Sequence, residues 1–186
     1  MGESFADFLF DLERQWKKRH YSKNEIKDLD TVLKMETKKI EDDSEKLILN
    51  VLHKNGEHII VYLNKLDQSE IFRAFFIELK VINKKGIVLN RIRLSAKFND
   101  EETIELCDIE VIGENEGRGY GTILLNSLIN FAIDNSIKTI LGWISYADKD
   151  HFDKLDYFYK KHGFNVIWGN DNTIVNKAAD IIWIKS

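Results

Sequence analysis

The 186-residue chain contains no proline and a single cysteine, Cys107. Average usage near 5% would give about nine prolines. Their absence, beside abundant Lys, Ile and Asn, reads as genome composition rather than function. One cysteine excludes an internal disulfide and a cysteine-built zinc site. The histidines at 20, 53, 58, 151 and 162 lack metal-ligand spacing, so no metal is expected. No apolar run approaches the roughly 20 residues that cross a bilayer. No signal peptide is visible, and MGESFA misses the N-myristoylation pattern because Ala6 stands where Ser or Thr is needed. These absences point to the cytosol, with no membrane partner. The net charge of -4 denies the chain the basic face expected of a nucleic-acid binder. What is present, 44% hydrophobic and 31% charged residues, supports a packed core in one domain with a small extension.

Ser4 and Asp7 form a capping-box signal. Phe5, Phe8, Leu9, Leu12 and Trp16 follow at helical spacing, predicting an amphipathic helix from about Phe5 to His20. Ser22 and Glu25 repeat the signal, and Ile26, Leu29, Leu33 and Ile40 mark a second helix. Both stripes suit a core or docking surface, with a membrane-surface helix as the minor reading. From Lys46 the texture changes. Strand-like Leu47 to Val51 and His58 to Leu63 flank Asn55-Gly56, a strong hairpin signal. Phe76 to Ile82 and Ile87 to Leu94 flank a second turn at Lys84, Lys85 and Gly86. Ile104 to Val111 continues an antiparallel meander. Then strand and helix alternate: a helix through Ile123 to Ala132, a strand at Thr139 to Ser145, a helix through Phe152 to Tyr159 ending at His162-Gly163, and strands at Phe164 to Trp168 and Ile181 to Ile184. The chain thus divides into an N-terminal helical extension, 1–45, packed on or beside a domain of residues 46–186. Trp143, Trp168 and Trp183 fall in the predicted strands, as core or as pocket walls.

At the centre stands VIGENEGRGYGTILL, residues 111–125, with glycines at 117, 119 and 121 immediately before a helical pattern. A helix N-terminus presents unpaired N–H groups and partial positive charge, and binds anions. Glycine lets the backbone come close to a ligand. A glycine turn before a helix is also common as plain structure. The P-loop pattern fails because Gly121 is followed by Thr122 with no Lys. The dinucleotide fingerprint fails because the spacing is G-x-G-x-G after antiparallel strands.

A third pattern fits. The stretch resembles the acyl-CoA motif Q/R-x-x-G-x-G/A of the GNAT superfamily of N-acetyltransferases, with Glu116 at the Gln/Arg position followed by Gly117, Arg118, Gly119, Tyr120 and Gly121. YFYKKHGF, residues 157–164, is similar to the family's second signature, F-Y-x-K-x-G-F. The order of elements agrees from about residue 45 onward. Two departures are visible: Glu116 itself, and Phe152 where many members carry Asn seven residues before the signature Tyr.

The resemblance implies an α/β (α+β) GNAT fold, a mixed, mostly antiparallel sheet flanked by helices, with acetyl-CoA as cosubstrate. It places acetyl-CoA between the strands Ile104 to Val111 and Thr139 to Ser145. The pyrophosphate would rest on N–H groups of Gly117 to Thr122, and the pantetheine against backbone near Ile109 to Val111. Transfer to an amine needs a base, because an ammonium with pKa near 10 must lose a proton. Glu105 lies 11 residues before Glu116, the spacing of the catalytic Glu in histone-type members. Regular alternation puts Cys107 on the face of Glu105 and sends Asp108 and Glu110 to the other, unless a bulge intervenes. Tyr159 stands at the family's general-acid position, to protonate the departing thiolate. The expectation is an N-acetyltransferase acting by direct transfer on an unidentified amine, small molecule or protein. The alternative is an inactive GNAT-fold module that binds CoA or a protein. The helices from Phe5 to Ile40 offer a homodimer seam under either reading.

Overall fold

A computed structural model describes residues 18–22, 25–65, 74–169 and 176–185. The predicted helix Phe5 to His20 falls outside these residues except at Lys18 to His20, which are not helical. Tyr21 forms an isolated bridge with Val88. The expected cap at Ser22 is replaced by a sheet-like contact: Ser22 N donates to Ile87 O at 2.8 Å, and Ile87 N donates to Ser22 Oγ at 2.9 Å. The helix begins later. α1, Leu29–Glu41, is capped by Asp28, whose carboxylate accepts from the N–H groups of Asp30 and Thr31 at 3.1 Å.

The strands β1 (Lys46–Lys54), β2 (Glu57–Lys65), β3 (Ala74–Asn83), β4 (Gly86–Ile87), β5 (Ile92–Phe98) and β6 (Thr103–Val111) form the meander. The β1–β2 turn is made by Asn55 and Gly56 with φ of 51° and 75°, the conformation that matches strand twist in a two-residue hairpin. The second hairpin is shorter than its apolar pattern suggests. β4 ends at Ile87, and the chain rejoins β3 as β5. After β6 come a 3₁₀ turn (Gly113–Asn115), α2 (Tyr120–Asp134), β7 (Thr139–Ser145), a second 3₁₀ stretch (Tyr146–His151), α3 (Phe152–Lys161), β8 (Asn165–Trp168) and β9 (Lys177–Ile184).

The strands join one mixed sheet in the order β1-β2-β3-β5-β6-β7-β9-β8, with β4 pairing to β3. Among the described residues only the β6–β7 pairing is parallel. β2 shows how period-two alternation serves both faces. Ile59, Val61 and Leu63 enter the large core with Leu124, Leu125 and Leu128 of α2. Ile60 and Tyr62 enter a smaller core with Ile40 of α1. α1 therefore packs on the sheet. Among the described residues no helix is long and apolar enough to cross a membrane.

Candidate active site

Two irregularities of β6 create the site. The β5–β6 register runs Ser95↔Asp108 and then Ala96↔Leu106. Cys107 is the extra residue of a bulge. On β6's other edge, pairing with β7 covers Thr103↔Thr139, Ile104↔Ile140 and Glu105↔Leu141 and goes no further. Beyond that point the two strands part. Gly142 sits at the point of separation, where an added Cβ would lie 3.0 Å from Leu106 O and from the Ile181 side chain. A side chain there would drive into the junction.

The parted strands open a cleft of about 650 Å³. Its floor is the turn between β6 and α2. Gly119 caps α2 with φ 81°, a left-handed conformation that favours glycine. Glu116 braces the turn: its N–H donates to Gly113 O at 2.9 Å, and its Oε1 accepts from Gly113 N at 3.0 Å. Tyr120, Gly121 and Thr122, in the first turn of α2 where N–H groups lack an intrahelical partner, line this floor. Of the cofactor-binding residues expected from sequence, Ile109, Val111, Glu116, Gly117, Gly119, Tyr120, Gly121 and Thr122 line the cleft. Arg118 does not. It is exposed, and its Nε donates to Glu114 O at 2.7 Å.

The two expected catalytic residues part company. Tyr159 of α3 lines the cleft and is 9% exposed. Burial, with the nearby charges of Asp108 and Asp148, holds its phenol well above the ordinary tyrosine range. Tyr157, two residues earlier, is 66% exposed. Glu105 is not part of the cleft wall, and its Oε2 pairs with Lys97 Nζ at 3.1 Å. Glu105 lies where β6 still pairs with β7, whereas Asp108 lies beyond the point at which the strands part. The bulge sets which face Asp108 uses. It inserts one residue, so Asp108, facing Ser95, lies on the same face as Glu105, facing Lys97. The expectation that Asp108 points away holds only for a regular strand. Asp108 lines the cleft, as does Cys107.

Sequence reasoning also left out Asn115, Asp148, His151 and Lys154, all on the cleft wall. Asn115 is 1% exposed, and among the described residues its amide has no hydrogen-bond partner. Such a group costs about 1–3 kcal/mol unless something polar meets it. Nothing in the local pattern distinguishes it from an ordinary turn Asn. Trp143, read as core or pocket wall, is 43% exposed on the wall.

The floor and walls offer backbone N–H donors for an anion, a partly unpaired strand edge for an extended polar arm, and a protonated phenol opposite a carboxylate. Comparison with known proteins supplies a family. The family model for the Acetyltransferase (GNAT) family matches residues 52–164, more than half of the chain. The uncharacterized protein YocC of Bacillus subtilis (strain 168) is similar over 76 residues at 33% identity, which is 39% of this chain and 44% of that protein. The chain thus matches less than half the length of that curated relative. Among solved structures, a GNAT family acetyltransferase from Elizabethkingia anophelis with acetyl-CoA bound aligns with 71% of this chain and 100% of its own, at 16% identity and a TM-score of 0.47. The PaiA N-acetyltransferase from Thermoplasma acidophilum in complex with coenzyme A aligns with 59% of this chain and 61% of its own, at 15% identity and a TM-score of 0.44.

Proposed function

Because the chain belongs to the Acetyltransferase (GNAT) family, we propose that it moves an acetyl group from acetyl-CoA to an amine by direct transfer. The observation that carries this reading is the parting of β6 from β7 directly above the glycine turn. The pyrophosphate rests on N–H groups between Gly117 and Thr122, where the start of α2 favours negative charge. The pantetheine lies along Ile109 to Val111, on the edge of β6 that β7 leaves free. A backbone N–H of that edge polarises the thioester carbonyl and stabilises the oxyanion.

The amine attacks as a neutral nucleophile, so its ammonium proton must first leave. We assign that base role to Asp108, which the bulge turns into the cleft, in preference to Glu105, which Lys97 holds outside it. The carbonyl carbon takes the amine, the C–S bond breaks, and the thiolate takes a proton. The Tyr159 hydroxyl supplies it and is reprotonated by the extra proton that the attacking nitrogen releases on becoming an amide. A phenol whose pKa is raised stays protonated at neutral pH, as a donor must. The acceptor is an amine of small-molecule or protein origin. One cysteine in the chain suits work in a reducing compartment.

Calorimetric titration with acetyl-CoA, followed by an amine-library assay, tests the reading. Asp108→Asn is expected to lower kcat/KM by about 10²-fold or more and Tyr159→Phe by about 10-fold or more, both with acetyl-CoA binding kept, while Glu105→Gln stays within a few-fold. A large loss in Glu105→Gln with little in Asp108→Asn would return the base role to Glu105. Binding without turnover on any amine would favour an inactive CoA-binding module.

A further inference from the structure

Lys54 closes β1 and stands opposite Glu57 across the Asn55–Gly56 turn. Directly opposed side chains share a face, and opposite charges there ordinarily pair. These two do not, because Glu57 is already engaged. Its carboxylate accepts from Arg19 Nη1 at 2.7 Å, from Asn83 Nδ2 at 3.0 Å and from the Tyr120 hydroxyl. Arg19 Nη2 closes the ring onto the same hydroxyl at 2.5 Å. Tyr120 directly follows Gly119, so this buried network fixes the hairpin tip against the glycine turn. The Lys54 side chain is left to reach the turn itself, where a Cβ on Gly119 would collide with its Nζ.

That position is electrostatically unfavourable for the protein alone. Gly119 is the N-cap of α2, and a helix N-terminus carries roughly half a positive charge. A cation is favoured at the opposite pole. Among the described residues no carboxylate pairs with the Lys54 ammonium. The acids of the turn are occupied with backbone: Glu114 accepts from Arg19 N at 3.1 Å, and Glu116 from Gly113 N. Two positive features thus stand together at the glycine turn, and an anion between them removes the conflict.

We propose that Lys54, at the tip of the β1–β2 hairpin, is a phosphate ligand for the CoA nucleotide held on the glycine turn. The proposal rests on the acyl-CoA reading above and adds to it a cation from outside the glycine motif. A compact ammonium on a flexible stem suits this contact, since it acts as a point charge without demanding fixed geometry.

Calorimetric titration of CoA and of dephospho-CoA into wild type, Lys54→Met and Lys54→Arg, at low and moderate salt, tests it. Lys54→Met is expected to weaken CoA binding about 10-fold, with a shallower salt dependence than wild type, and Lys54→Arg to regain most of the loss. The unliganded Lys54→Met protein should melt no lower than wild type, because a cation leaves the wrong end of a helix. A penalty that persists with dephospho-CoA supports contact with the diphosphate. One that disappears supports contact with the ribose phosphate. Equal CoA affinity in wild type and Lys54→Met overturns the proposal and leaves the acyl-CoA reading standing. A wild type that takes up no CoA at millimolar concentration overturns both.

Discussion

Cys107 shows how one inserted residue changes the chemistry available to a strand. As the bulged position of β6 its side chain is exposed on the cleft wall. Exposure to a cleft is not exposure to bulk water. Desolvation pushes the thiol pKa up, and the charge of Glu105 adds to it against the opposing charge of Lys97. A raised pKa means less thiolate at neutral pH, and the thiolate is the nucleophile. Iodoacetamide should therefore alkylate native Cys107 several-fold more slowly than the same thiol in the unfolded chain at pH 7.5. The rate should climb only as pH passes above the ordinary thiol range near 8.5. Equal rates in native and unfolded protein would contradict this account. Cys107→Ser is expected to keep acetyl transfer, since the direct route leaves the thiol out.

At the scale of elements, the site is a defect in strand pairing. β6 and β7 pair over three residues and then diverge, and Gly142 marks the divergence. A larger residue at 142 must displace either the Leu106 carbonyl, which is backbone, or Ile181, which is 1% exposed in the core. Gly142→Val is therefore expected to cost about 1–3 kcal/mol by overpacking, read as a lower denaturation midpoint, and to weaken acetyl-CoA binding. An unchanged midpoint would show that the junction can give. The hairpin Asn55–Gly56 and the strand Thr139–Ser145 were legible because turn chemistry and apolar runs are local signals. The break between β4 and β5 was not. It coincides with the place where the segment Tyr21–Ser22 touches Ile87 and Val88, a contact made across more than sixty positions of sequence.

For the molecule as a whole, two buried carboxylates join the N-terminal region to the sheet. Glu57 is held by Arg19, Tyr120 and Asn83, and Glu36 of α1 by Lys39 at 2.5 Å and Lys80 at 2.7 Å. Burial opposes both charges, but the hydrogen bonds outweigh it, and both pKa values lie below the usual carboxylate range. A carboxyl with a depressed folded pKa contributes stability that is fully present above its unfolded pKa, near 4.3, and is lost as pH falls through the folded value. Denaturant midpoints should thus be flat near neutrality and drop below about pH 4.5. Glu57→Gln, which leaves the buried Arg19 without its counter-charge, should cost about 3 kcal/mol at pH 7 and flatten that acid limb. An acid limb as steep as wild type would sink the assignment. Sequence by itself determined the meander followed by alternating strands and helices, the glycine turn before α2 and the Tyr159 signature, because periodicity, turn chemistry and short motifs are written within a few residues. Only the tertiary structure decided that Asp108 rather than Glu105 stands in the cleft, that Asn115 is buried without a partner among the described residues, and that Lys54 lies over Gly119. Each of these depends on a bulge, a parted strand pair or a saturated carboxylate, and so on residues far away along the chain.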